Sequence, residues 1–97
     1  MYGTVARVRV KKGALEGLKQ WVEDVTRSGM PGFRGQFVYQ MDNNPSELYL
    51  SVIFETRQDY FANADSPEQN ERYLEMLKYL DGEPEWHDGE LLFAEFK

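Results

Sequence analysis

Asn63 and Tyr60 are the residues in this chain whose types best suit chemistry on a small organic molecule. A carboxamide can polarise a substrate oxygen, and a phenol can orient a substrate hydroxyl. Asn70 offers a second amide nearby. Tyr39, Phe54 and Tyr73 are the candidate substrate contacts, and Tyr49, Phe33, Phe37 and Phe61 supply further aromatic wall for a pocket between sheet and helices. The plainer reading of the same residues is a packed core whose phenols reach the rim, with the two asparagines on an ordinary helix surface.

Other chemistries lack their residues. His87, in Glu83-Pro84-Glu85-Trp86-His87-Asp88, could act as a general base or a weak metal ligand, but a single His among loop acids reads first as a solvated turn residue. No second His and no Cys stands at a spacing that would complete a metal site, so no metal is expected. Gly29, Gly32 and Gly35 do not form a phosphate-binding loop, because neither a strand-GxGxxG-helix nor a Walker spacing is present. Serine and threonine have no partner His at a suggestive spacing. No cofactor is expected.

Composition narrows the partners. The 97 residues carry 17 Asp and Glu against 11 Lys and Arg, a formal net charge of -6 that opposes approach to nucleic-acid backbones and anionic lipid. Neither nucleic acid nor membrane is expected as a partner. There is no cysteine, the first residues lack an apolar signal core, and no run reaches membrane-spanning length. The expectation is one cytoplasmic domain over residues 1–97, small enough to gain from burying surface against another chain.

Period-two and helical patterns give the elements that must position the candidate site. Thr4 to Val10 alternates as a strand. Gly13 to Arg27 carries Leu15, Leu18, Trp21, Val22 and Val25 at helical spacing, and Gly29 with Pro31-Gly32 stops it. Phe33–Met41 and Glu47–Glu55 form a hairpin across the turn formers Asp42 to Ser46. Thr56 and Ser66 are both helix starts, the second with Pro67 at its first position, so the second helix should break near Asp65 and run on to about Asp81-Gly82. Glu83 to Asp88 reads as an acidic loop, and Glu90 to Phe96 alternates as the last strand.

The order βαββαβ, with right-handed crossovers, predicts a ferredoxin-like α+β fold: an antiparallel sheet in the order 4-1-3-2 with the helices on one face. Ala6, Val8 and Val10 should then join Leu48, Leu50, Val52 and Phe54 beneath the helices. Val5, Arg7, Arg9, Tyr49, Ile53 and Glu55 share the other face, where Arg7 or Arg9 should pair with Glu47 or Glu55. A sheet with one wet face alternates more cleanly than this, so a second copy of the chain is expected to cover it.

The segment Gly32-Phe33-Arg34-Gly35-Gln36, continuing to Phe54-Glu55-Thr56-Arg57-Gln58-Asp59-Tyr60 and Ser66-Pro67-Glu68, resembles the antibiotic biosynthesis monooxygenase-like family. The likeness extends through nearly the whole chain in element order. It implies a dimeric α+β barrel, in which two ferredoxin-like sheets pack face to face, and activities ranging from cofactor-independent oxygenation of quinols to haem degradation. In many members a Trp stands at the position of Phe54. Haem-degrading members also carry a His on the second helix as iron ligand, and this chain has none there; Met76, Tyr60, Tyr73 and Tyr79 are the only donors left, so haem binding is not expected.

Two functions follow. One is a cofactor-independent monooxygenase-like protein acting on a small aromatic or quinol-like compound, with Asn63 and Tyr60 as catalytic residues and Tyr39, Phe54 and Tyr73 against the substrate. The alternative is a non-catalytic homodimer of the same fold that binds a small aromatic ligand or completes a larger assembly.

Overall fold

A computed structural model describes residues 1–97. Alternation in the first segment is realised as β1 (Tyr2–Arg9), whose Thr4, Ala6 and Val8 are buried while Val5 and Arg9 stay exposed. Helical spacing gives α1 (Leu15–Ser28), which ends at Gly29 with φ of 80°, a backbone conformation that glycine adopts without cost. The hairpin is β2 (Phe33–Gln40) and β3 (Glu47–Phe54). The break near Asp65 is present. α2 (Arg57–Ala64) starts where Thr56 Oγ1 accepts from the Asp59 amide at 3.0 Å, and α3 (Pro67–Leu77) starts where Ser66 Oγ accepts from the Gln69 amide at 3.1 Å. Each cap satisfies a donor that the helix itself cannot.

Four strands form one antiparallel sheet in the order β2-β3-β1-β4, with β4 spanning Glu85–Glu90. The expected strand order and the single helix-covered face are both found. Ala6, Val8, Leu48, Leu50, Leu18, Met76 and Leu80 make the core between sheet and helices. Full burial of Leu48 and Phe54 contributes roughly 1.5–3 kcal/mol each.

Three expectations are corrected. The last strand is not Glu90 to Phe96 but the acidic segment before it, which pairs with β1 from Tyr2↔Glu90 to Arg7↔Glu85. An edge strand needs only one partner and tolerates charge, so Glu85, His87, Asp88 and Glu90 fit there despite their low strand propensity. Beyond Glu90 only the Leu91 amide continues the pairing, to the Met1 carbonyl at 2.9 Å, and the apolar tail has no strand structure. The second helix stops at Leu77, short of Asp81-Gly82, and Leu80 makes an isolated bridge with Val10 instead.

The sheet face away from the helices carries no covering layer within the chain. Val5 is 50% exposed there and Tyr39 61%. Arg7 pairs with Glu47 and, more loosely, with Glu85 at 3.5 Å, while Glu55 turns instead to Arg34 at 3.2 Å. The hydrogen bond and charge of Glu47 raise the Arg7 pKa, and the hydrogen bond from His87 lowers that of Glu85. Phe96 of the tail stacks on Phe37 of this face, with ring centroids 5.7 Å apart, yet remains 80% exposed; Leu92 is 90% exposed.

Candidate functional site

Between the helices and the inner face of the sheet lies a cavity of about 390 Å³. Its sheet wall comes from Thr4, Leu50, Val52, Phe54, Trp86 and Asp88, and its helical wall from Trp21, Val22, Tyr60, Phe61, Asn63, Gln69, Arg72, Tyr73 and Met76. Most of the lining is apolar, with few polar groups, which is the usual make-up of a small-molecule site.

Four of the five residues singled out from the sequence line it: Tyr60, Asn63, Phe54 and Tyr73. Asn70 does as well. Tyr39 does not, and its place against substrate is corrected. It stands opposite Tyr49 in the β2–β3 register, and since Leu48 and Leu50 on either side of Tyr49 point inward, both tyrosines face away from the helices. His87 lies on that same outer face, opposite Val5, with Nε2 2.8 Å from Glu85 Oε1. It is a strand residue, not the turn residue expected.

The strand that replaces the acidic loop brings in what the sequence reading missed. Alternation along β4 turns Trp86 and Asp88 toward the cavity and His87 away. Tyr60 Oη, from α2, donates to Asp88 Oδ1 at 2.7 Å. Burial of the phenol, then this hydrogen bond, push the Tyr60 pKa well above the usual tyrosine range. Tyr60 is therefore neutral at physiological pH and acts as donor and acceptor, not as a phenolate. Its ring lies edge-on to Phe54 at 5.7 Å and to Phe61 at 5.1 Å, which fixes where the hydroxyl points.

A second polar cluster sits where α2 meets α3. Arg72 Nη1 donates to Asn63 Oδ1 at 3.3 Å and to Gln69 Oε1 at 3.2 Å, and Asn63 Nδ2 donates to Gln69 Oε1 at 3.2 Å. The kink at Ser66-Pro67 makes this possible by folding the start of α3 back beside Asn63, with Ser66 Oγ donating to the Asn63 carbonyl at 2.7 Å. Asn63 is thereby held with one N–H still free for a bound molecule.

The model of the antibiotic biosynthesis monooxygenase family matches residues 1–73, from β1 through both helix starts and into α3. The chain belongs to the antibiotic biosynthesis monooxygenase family. Solved structures share its fold at low identity. A conserved protein from Methanosarcina mazei Go1 is 19% identical, with a TM-score of 0.78 and 91% of this chain and 89% of that one covered. SnoaB, a cofactor-independent oxygenase from Streptomyces nogalater, is 9% identical with a TM-score of 0.79 over 96% and 94% of the two chains. A Mycobacterium tuberculosis protein is 16% identical with a TM-score of 0.74 over 96% of each chain. No curated protein sequence matches. At these identities the neighbours establish the fold, and the family match leaves β4, with Trp86 and Asp88, outside its span.

Among the residues that could hold a metal, no group of three His, Asp or Glu side chains converges, and no helix is long and apolar enough to cross a membrane.

Proposed function

We propose that this member of the antibiotic biosynthesis monooxygenase family is a cofactor-independent monooxygenase-like protein that oxidises a small aromatic or quinol-like compound in the cavity between sheet and helices. The observation that carries the reading is the Tyr60–Asp88 hydrogen bond at the wall of that cavity. A substrate hydroxyl donating to Tyr60 Oη can lose its proton as the Tyr60 proton moves to Asp88. Asp88 is exposed on the edge strand, so the proton has an outlet to water without opening the apolar interior. The phenolate left behind is the electron donor for oxygen. In a monooxygenation the substrate supplies every electron: one oxygen atom is inserted at an activated carbon, two hydrogens leave the substrate (both from that carbon in an anthrone-type phenol, one from a ring carbon and one from a hydroxyl in a hydroquinone), and they depart with the other oxygen atom as water. Asn63, pinned by Arg72 and Gln69, donates its free N–H to the developing oxyanion. Phe54 and Tyr73 pack against the ring.

An oxygen electrode with a panel of hydroquinones and anthrone-type phenols, without added metal or flavin, tests this reading. Catalysed uptake supports it. Tight binding without uptake turns it into the non-catalytic binding module.

The protein is further proposed to work in the cytoplasm as a homodimer built on the outer sheet face. What supports the homodimer is the apolar surface left open there, from Val5, Tyr39, Tyr49 and Ile53 together with the exposed tail.

A further inference from the structure

Arg72 is the single cation lining the cavity, and no carboxylate lies within ion-pairing distance of it. Its two protein partners, Asn63 and Gln69, are neutral amides, and both are reached from Nη1. The three N–H donors on Nη2 and Nε have no protein acceptor, in a guanidinium that is only partly exposed. A guanidinium in this state has the geometry to take a carboxylate in a two-pronged bond. On the sheet wall a second polar group is unsatisfied. Thr4 is 5% exposed, lines the cavity, and its Oγ1 has no hydrogen-bond partner. Leaving such a group unmatched costs about 1–3 kcal/mol, a cost that a bound hydroxyl removes. Thr4 pairs with Asp88 in the β1–β4 register, so its hydroxyl belongs to the same corner as the Tyr60–Asp88 pair.

We propose that the substrate class is a hydroxyaryl carboxylate: the acid group is held by Arg72 on the helical wall, and the ring hydroxyl by Thr4 and Tyr60 at the sheet wall. This deepens the reading above and rests on it. The apolar cavity selects an aromatic ring, Arg72 selects a negative charge at one end, and Thr4 with Tyr60 selects a hydroxyl at the other. Gln69 acts as a positioning residue: with the Asn63 carbonyl oxygen it holds Nη1 and so aims the remaining donors, while Asn63 keeps its free N–H for the substrate.

Calorimetric binding of three probes to the intact protein tests it: 2,5-dihydroxybenzoate, its neutral amide 2,5-dihydroxybenzamide, and hydroquinone. The expected result is at least tenfold tighter binding of the acid than of the amide. Arg72→Met should erase that preference, the acid binding no tighter than the amide, while Thr4→Val should weaken all three alike. Arg72→Gln, which can keep amide contacts to Asn63 and Gln69, provides the same comparison if the Met variant does not fold. Equal binding of acid and amide by the wild-type protein overturns the carboxylate site but leaves the cavity reading standing, since hydroquinone still binds. Failure of all three probes to bind overturns both.

Discussion

The Tyr60 hydroxyl, on α2, donates to Oδ1 of Asp88, on the edge strand β4, across 2.7 Å. This contact joins an element inside the family match to one outside it. It also ties the phenol to a carboxylate at the exposed edge of the sheet, and it sets a measurable pH behaviour.

Because the folded state raises the Tyr60 pKa above its ordinary value near 10, the unfolded chain binds fewer protons once that value is passed. The stabilising effect is complete below pH of about 10 and is lost as pH rises through the folded pKa. Ultraviolet titration of the phenols should show one of the six tyrosines ionising later than the rest. Tyr60→Phe should remove that late phase and flatten the alkaline fall in stability. A late phase that persists in Tyr60→Phe would assign the raised pKa elsewhere.

Gly3 lies on β1 opposite Ile53 of β3, and a Cβ there would run into the Val52 carbonyl oxygen. Gly3→Ala should destabilise by about 1–3 kcal/mol through the forced separation of the strands. Thermal melting should fall by about 4 °C or more. Gly35→Ala, where the added carbon meets open space, is the control and should change little.

The fold was legible wherever local chemistry and periodicity agreed. Thr56, Ser66 and Pro67 announced both helix starts, the order βαββαβ gave the strand order, and the inward alternation of Ala6 and Val8 with Leu48 and Leu50 gave the sheet face. It was not legible in β4. Glu85 to Glu90 is charged and interrupted by Gly89, whereas the apolar segment after it alternates like a strand; pairing with β1 outweighed both signals. Asp88 was missed as a site residue for that reason alone, since one strand reading of Glu85–Glu90 would have turned it and Trp86 inward together. Tyr39 went to the wrong wall because composition marks a residue as aromatic, while the register opposite Tyr49 decides its face. Arg72 carried no signal in sequence. Its partners are brought to it by the α2–α3 kink.

The open sheet face should bring two copies together, burying on the order of 1,600 Å² in total. Light scattering at micromolar concentration should report a dimer. Val5→Glu, at an exposed site on that face, should shift it toward monomer without loss of the fold. A monomer from the wild-type chain contradicts this assembly.

Oxygen uptake by the wild-type protein beside Tyr60→Ala and Asn63→Ala, on whichever hydroquinone or phenol of the panel it turns over, decides whether the cavity between sheet and helices is where the reaction occurs. In the proposed reaction Tyr60 takes the hydroxyl proton and Asn63 holds the oxyanion, both from the helical wall of the cavity. Uptake should proceed with no added metal or flavin and fall by about a hundredfold or more in each variant. Uptake that survives both substitutions would contradict this and place the reaction outside this cavity.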